Sequence, residues 1–229
     1  MLASSLRTPR AQTPTPVAVV QVAASGAVIV VVILAGLVIR VTSGATLVDL
    51  RVLNAFAAIQ NTALTAIAFG VDWVFSPPIA AVIVVLAGAG VWIVTRRLRA
   101  VVLFVGVAVL PWLGSEVVKL IVRRPRPDPA SLAHPLLASP PSFSFPSGHT
   151  CFALALCLAL LTVAWSTRAR PFLIAISVVI PVTTGLSRIY LGVHYPTDVL
   201  ASLAYTAAAA AAVTVLGRMI LARVDRHGE

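Results

Sequence analysis

Six long apolar segments constrain this chain more than any other feature, because nearly uncharged runs of this length are stable as helices in a lipid bilayer. They cover residues 17–39, 77–95, 100–122, 150–165, 171–186 and 199–216. A membrane-crossing helix needs about 20 mainly apolar residues, and it satisfies its backbone hydrogen bonds internally. We therefore predict an all-α, polytopic membrane bundle with about six transmembrane helices.

The composition agrees with a membrane protein and argues against a nucleic-acid partner. Only 10% of the residues are charged and 59% are hydrophobic, whereas soluble domains carry about 25% charged residues. In a soluble protein, the formal net charge of +10 would suggest nucleic acid as a partner. In a membrane protein, basic residues at helix ends set the orientation instead. The expected partners are membrane lipids.

A less apolar segment, residues 42–76, separates the first two spans and carries several polar side chains: Asp49, Arg51, Asn54, Gln60, Asn61 and Asp72. We interpret it as one or two helices that lie at the membrane interface or pack on the bundle. Its middle part, 48–70, could instead cross the membrane as a seventh span, and the sequence leaves both possibilities open.

Residues 17–222 are predicted to form one membrane domain. It is expected to lie between a disordered cytoplasmic segment at 1–16 and a cytoplasmic tail at 223–229.

The basic loops predict the orientation of this domain, since short arginine-rich loops stay on the cytoplasmic side. The loops at 96–99 and 168–170 are both of this kind. With these loops inside, the polar stretches at 123–148 and 187–198 share the extracytoplasmic face of a cell membrane.

Residues 146–149, with the sequence Pro-Ser-Gly-His, stand immediately before an apolar span and are expected at its N-terminus. Unpaired backbone N–H groups and the helix dipole favour an anion at that position. The tetrapeptide alone would suit an ordinary helix cap equally well, so the anion site depends on the remaining polar clusters.

Two further clusters supply the side chains that a phosphoryl group requires. His194 and Asp198 are four residues apart. On a helical turn, the carboxylate can hold one ring nitrogen and leave the other free to attack or to take a proton. Three cations would surround the phosphoryl oxygens: the ammonium group of Lys119 and the planar guanidinium groups of Arg126 and Arg188. The competing interpretation of Lys119 is a side chain that only extends toward the interface.

Together the three clusters resemble the signature of the type 2 phosphatidic acid phosphatase (PAP2) superfamily. The motif K-x6-R-P occupies 119–127, P-S-G-H occupies 146–149, and S-R-x5-H-x3-D occupies 187–198. The resemblance covers the region from 119 to 198. It implies a six-helix membrane bundle and a two-step phosphatase that forms a phosphohistidine and uses neither a metal nor another cofactor.

The resemblance also implies a role for each residue of the signature. His194 would be the nucleophile, Asp198 would orient it, and His149 would protonate the leaving oxygen. The phosphate-binding groups would be Lys119, Arg126, Ser147, Gly148 and Arg188. Outside the signature, we expect Arg123 and Arg124 to meet anionic head groups or to cap the third span, and Tyr190 and Tyr195 to anchor the chain at the interface.

The substrate is expected to be a lipid phosphate or diphosphate, for example a polyprenyl diphosphate of the undecaprenyl class, phosphatidic acid or phosphatidylglycerol phosphate. The short chain and the outward site favour the first of these. Soluble vanadium haloperoxidases of the same superfamily hold vanadate with the same residues, but six apolar spans argue against that role.

Two different functions compete with the phosphatase. An anion transporter could also place cations in a membrane bundle, but it requires charges spread over the membrane depth. A non-catalytic lipid-phosphate-binding protein could use the same cations without turnover, although the intact signature argues against it.

Overall fold

A computed structural model describes residues 15–227, the side chains of 225–227 excepted. The described chain contains no strand and eight α-helices: α1 (Pro16–Val41), α2 (Ser43–Ala58), α3 (Thr62–Val74), α4 (Pro77–Thr95), α5 (Leu98–Val122), α6 (Gly148–Val163), α7 (Arg170–Tyr190) and α8 (Pro196–His227). A short 3₁₀ helix, Pro129–Ser131, lies in the loop between α5 and α6. The predicted all-α bundle is therefore confirmed.

The prediction for the C-terminal end can be compared with the structure, whereas most of the N-terminal segment cannot. The disordered segment expected at 1–16 lies outside the described residues, except for Thr15, which caps α1, and Pro16, with which α1 begins. The tail expected from residue 223 starts as helix, because α8 continues to His227.

Each of the six predicted spans corresponds to one helix. Five of the described helices (α1, α4, α5, α7 and α8) are long and apolar enough to cross a membrane. The remaining one, α6, is apolar but has only 16 residues. It packs against α5, α7 and α8, and most of its first ten residues are buried. Protein surrounds α6 on several sides, so lipid thickness does not set its length.

The segment at 42–76 forms two separate helices, α2 and α3, which pack on the bundle. They have 16 and 13 residues, and neither is among the candidate spans. The hydroxyl of Tyr190, at the end of α7, joins them to the bundle. It accepts a hydrogen bond from the backbone N–H of Asn61 at 3.1 Å and lies 2.9 Å from the hydroxyl of Thr65. This contact fixes α3 beside α7.

The loop that follows α5 is folded back on the bundle. Arg123 ends α5 in the left-handed conformation, with φ 52°. The chain then runs back along itself, since the N–H of Ser144 donates to the carbonyl oxygen of Arg124 at 2.9 Å. Phe145 is fully buried and lies against Gly36 of α1, where an added Cβ would come within 2.5 Å of the ring. The start of α6 is thereby fixed beside the end of α5.

Candidate active site

A cavity of about 390 Å³ lies where α5, α6 and α7 meet the two polar loops. Six of the eight residues that the sequence predicts for the site line it: Lys119, Arg126, Gly148, His149, Arg188 and His194. The other two, Ser147 and Asp198, are fully buried and are not part of the lining. The fold thus brings three distant stretches of the chain to one place.

His194 projects into this cavity from the turn between α7 and α8, and its side chain is 1% exposed. Its Nε2 lies 2.9 Å from Nη1 of Arg126. Because a guanidinium can only donate hydrogen bonds, Nε2 must be the acceptor and the proton must be on Nδ1. Nδ1 faces Oδ2 of Asp198 at 3.6 Å, slightly beyond hydrogen-bond distance. The unprotonated nitrogen therefore faces the cavity.

The surroundings of His194 keep its imidazole neutral. Burial holds its pKa well below the usual value, and the positive charges of Arg126, Arg188 and Lys119 lower the pKa further. Arg126 remains a cation at neutral pH, although burial and the charge of Arg188 lower its pKa to about 10. A neutral imidazole among fixed cations is a nucleophile directed at an anion.

Lys119 and the start of α6 form the opposite side of the cavity. The Lys119 side chain is 9% exposed, and its Nζ donates to Oε1 of Glu116 at 2.7 Å. A Cβ added to Gly148 would lie 3.1 Å from that Nζ, so the missing side chain allows the amine to approach the helix N-terminus closely. An amine and unpaired amide groups at one point favour an anion.

Ser147, which precedes α6, is held by the helices behind it. Its backbone N–H donates to the hydroxyl of Ser202 in α8 at 2.7 Å. Its own hydroxyl oxygen accepts from the hydroxyl of Thr150 at 3.1 Å. The Ser147 hydroxyl therefore keeps its own proton available for donation.

Arg124 does not lie at the membrane interface, because it is 1% exposed and its side chain binds two buried carboxylates. Its Nη1 donates to Oδ1 of Asp198 and its Nη2 to Oδ2 of Asp49, both at 2.7 Å. Tyr195 lies with its ring 4.0 Å from the guanidinium carbon. Both Tyr195 and Tyr190, which were expected at the interface, are buried. Head-group binding or a helix cap is thus wrong for Arg124, which instead fixes the carboxylate behind His194.

Replacing Arg124 by methionine is expected to lower the free energy of unfolding by about 3–5 kcal/mol, because the buried carboxylates of Asp49 and Asp198 lose their shared partner. The measurement is unfolding in a graded SDS–detergent mixture. Arg123→Met is the matched control, since the neighbouring Arg123 is exposed. Equal stability of the two variants would contradict the role of Arg124.

Asp72 of α3 is the other residue that sequence reasoning did not assign. Its Oδ1 contacts Nη1 of Arg188 and lies 3.2 Å from Nε2 of His149. The only signal in the sequence was a carboxylate in an otherwise apolar stretch, and nothing indicated which way it faces.

An unpaired donor in the cavity lining supports a binding site. Within residues 15–227, four buried side-chain nitrogen or oxygen atoms have no hydrogen bond: Nε2 of His149, Nε of Arg188, Nδ1 of His194 and Oγ1 of Thr206. The two histidine nitrogens face the carboxylates of Asp72 and Asp198 at 3.2 and 3.6 Å. Nε of Arg188, which lines the cavity, is a buried donor without a partner, which costs about 1–3 kcal/mol and favours a polar ligand.

A family model of the PAP2 superfamily matches residues 98–220. The chain is 36% identical over 110 residues to undecaprenyl-diphosphatase BcrC of Bacillus subtilis, covering 46% of this chain and 52% of that protein. It is 41% identical over 95 residues to phosphatidylglycerophosphatase B of Bacillus subtilis, covering 38% and 43%. It is 36% identical over 107 residues to decaprenylphosphoryl-5-phosphoribose phosphatase of Mycobacterium tuberculosis, covering 45% and 53%. The matches thus span about half the length of these relatives.

The fold is also similar to a solved structure, the crystal structure of a transmembrane PAP2-type phosphatidylglycerolphosphate phosphatase from Bacillus subtilis. The TM-score is 0.70 at 23% sequence identity, with 89% of this chain and 97% of the other covered. The likeness extends to α1–α4, which lie before the part that the family model matches.

Proposed function

The chain belongs to the PAP2 superfamily, and from this premise we propose that it is a membrane lipid phosphatase that acts through a phosphohistidine intermediate. One observation carries the proposal. The unprotonated Nε2 of His194 faces a cavity that Lys119, Arg126 and Arg188 also line. A neutral nucleophile surrounded by cations is suited to attack on a phosphoryl group and to little else.

In the first step, Nε2 of His194 forms a bond to phosphorus as the bond to the lipid oxygen breaks. The leaving oxygen takes a proton from the imidazolium form of His149, which becomes neutral. Arg126, which donates to Nε2 in this structure, must donate to a phosphoryl oxygen instead, so that the lone pair of His194 is free. The three cations stabilise the charge on the equatorial oxygens in the transition state.

In the second step, His149 removes a proton from water, and the water oxygen attacks phosphorus. The phosphorus–nitrogen bond breaks, inorganic phosphate leaves, and neutral His194 is restored. The Nδ1 proton stays on the side of Asp198, which Arg124 holds in position. The imidazolium character that develops at His194 is stabilised by this carboxylate.

The cavity has an apolar side that suits a lipid. Phe75, Pro77, Trp112 and Leu113 line it together with the charged groups, and Leu113 is 53% exposed on the outer surface of α5. We propose a lipid phosphate or diphosphate as the substrate class, with a polyprenyl diphosphate of the undecaprenyl class as the preferred member. Phosphatidic acid and phosphatidylglycerol phosphate are the competing substrates, which a phosphate-release screen of the purified protein would rank.

The distribution of charge favours this function over an anion transporter. Among the described residues, the buried acidic, basic and histidine side chains are Asp49, Lys119, Arg124, Arg188, His194 and Asp198. All of them line the cavity or belong to the group around Arg124. A transport path would need such groups at several depths along the helices.

Phosphate release is expected to persist in excess EDTA and to be blocked by vanadate. The cations of the cavity supply the positive charge that a metal would otherwise provide, and vanadate adopts the five-coordinate geometry of the transition state. The measurement is inorganic phosphate released from detergent-solubilised lipid substrates. Activity that disappears with the chelator and returns with Mg²⁺ would overturn the proposed mechanism.

We propose that the cavity opens at the extracytoplasmic face of the cell membrane, since the short basic loops favour the other side. A cysteine at Ala133 should react with an impermeant thiol reagent in intact cells, and one at Thr167 should not. Both positions are exposed, and native Cys151 and Cys157 are buried, so the background is low. The reverse labelling pattern would put the site in the cytoplasm.

A further inference from the structure

Asp72 reaches the site from outside the signature. It lies in the last turn of α3 and its side chain is 31% exposed. A single oxygen, Oδ1, contacts Arg188 Nη1 and lies 3.2 Å from His149 Nε2. Both partners are residues of the proposed phosphatase site, and the carboxylate joins them.

We propose that Asp72 is a positioning residue that orients His149 and Arg188 for the reaction, an inference that rests on the proposed phosphatase function. With its Nε2 turned to a carboxylate, an imidazole keeps its proton on that nitrogen and presents the other nitrogen to its surroundings. In the protonated form of His149, Nδ1 carries the proton that the leaving oxygen takes, and in the second step the same atom accepts a proton from water.

The same oxygen fixes one end of the Arg188 guanidinium. Because Nη1 is bound to Asp72, the orientation of the guanidinium plane is fixed. Nε, which is buried and has no hydrogen bond, then remains directed for an oxyanion. A guanidinium group that is already held in one orientation loses less conformational freedom when it binds an oxyanion. The carboxylate also carries a negative charge beside an anion site, so it repels the phosphoryl group while it orients the two residues.

These opposing effects predict that loss of Asp72 affects the lipid substrate, the aryl substrate and vanadate binding differently. Loss of a purely structural residue would not produce such a difference. In Asp72→Asn, the rate of phosphoenzyme formation from phosphatidic acid is expected to fall on the order of 10- to 100-fold, because the general acid that protonates the alkoxide is no longer oriented. From p-nitrophenyl phosphate this rate should stay within about threefold, because a stabilised phenolate hardly needs that proton. The dissociation constant for vanadate should stay the same or decrease, because a negative charge is removed from the site.

Asp128→Asn is the matched control. Asp128 is exposed and accepts a hydrogen bond within its own turn, from the backbone N–H of Ala130 at 3.0 Å. This variant should behave like the wild type in all three measurements. Asp72→Glu keeps the carboxylate and should recover part of the lost rate. In a His149→Ala background, Asp72→Asn should cost less on phosphatidic acid than in the wild-type background, since the part of its effect that acts through His149 is already lost.

The outcomes separate the inference from the proposed function. Equal losses on both substrates with weaker vanadate binding would show that Asp72 only supports the fold, and would overturn its positioning role. Wild-type behaviour of Asp72→Asn would overturn it as well. In either case the wild-type activity leaves the phosphatase assignment standing. A wild-type protein that releases phosphate from neither substrate would overturn both.

Discussion

Replacement of His194 by alanine is expected to abolish phosphate release from every substrate, lipid or aryl, because its imidazole is the group that forms the covalent bond to phosphorus. The imidazole is neutral, its Nε2 is unprotonated, and three cations line the same cavity. Turnover should fall to the background of the assay. The measurement is phosphate release from phosphatidic acid and from p-nitrophenyl phosphate.

The corresponding control is His134→Ala, since His134 is exposed in the loop and does not line the cavity. This variant should keep full activity. Rapid acid quenching of the wild type with a labelled aryl phosphate should trap a phosphoenzyme that is stable to base and labile to acid. A labelled phosphoenzyme in His194→Ala would place the nucleophile at another residue and contradict the mechanism.

Replacement of His149 by alanine is expected to slow the first step much more on an alkyl phosphate than on an aryl phosphate, without abolishing it. An alkyl phosphate expels an alkoxide that must be protonated as it leaves, and general acid catalysis of this kind contributes about 10²–10⁴ in rate. A p-nitrophenyl ester expels a stabilised phenolate, so its first step should be affected much less. The measurement is the rate of phosphoenzyme formation from each substrate, because both substrates share the later hydrolysis step in which His149 acts as the base.

The binding of vanadate decides whether this split has the proposed cause. His149 lies close to Arg188 through Asp72, so its loss could also disturb the anion site. An unchanged dissociation constant together with a selective loss in phosphoenzyme formation from phosphatidic acid supports the acid role. Equal losses in phosphoenzyme formation from both substrates with intact vanadate binding would contradict the acid role.

The sequence predicted most of the fold because the bilayer limits the choices. A run of about 20 apolar residues without partners for its backbone must be a helix in lipid, and each of the six runs corresponds to a helix in the structure. The signature stretches could likewise be located, since they combine costly charges with turn residues at the ends of apolar runs. The ends of α7 and α8 differ from expectation, since α7 continues to Tyr190 and α8 to His227.

Only the tertiary structure decided which of the remaining polar residues belong to the site. Asp49 and Asp72 stand in a segment whose pattern fits an interfacial helix and a packed one equally well. Their partners, Arg124 and Arg188, are 75 and 116 residues away along the chain. Sequence spacing carries no information on contacts at such separations. They are fixed by how α2 and α3 pack against α7 and α8, and a buried carboxylate such as that of Asp49 is stable only where that packing supplies a cation.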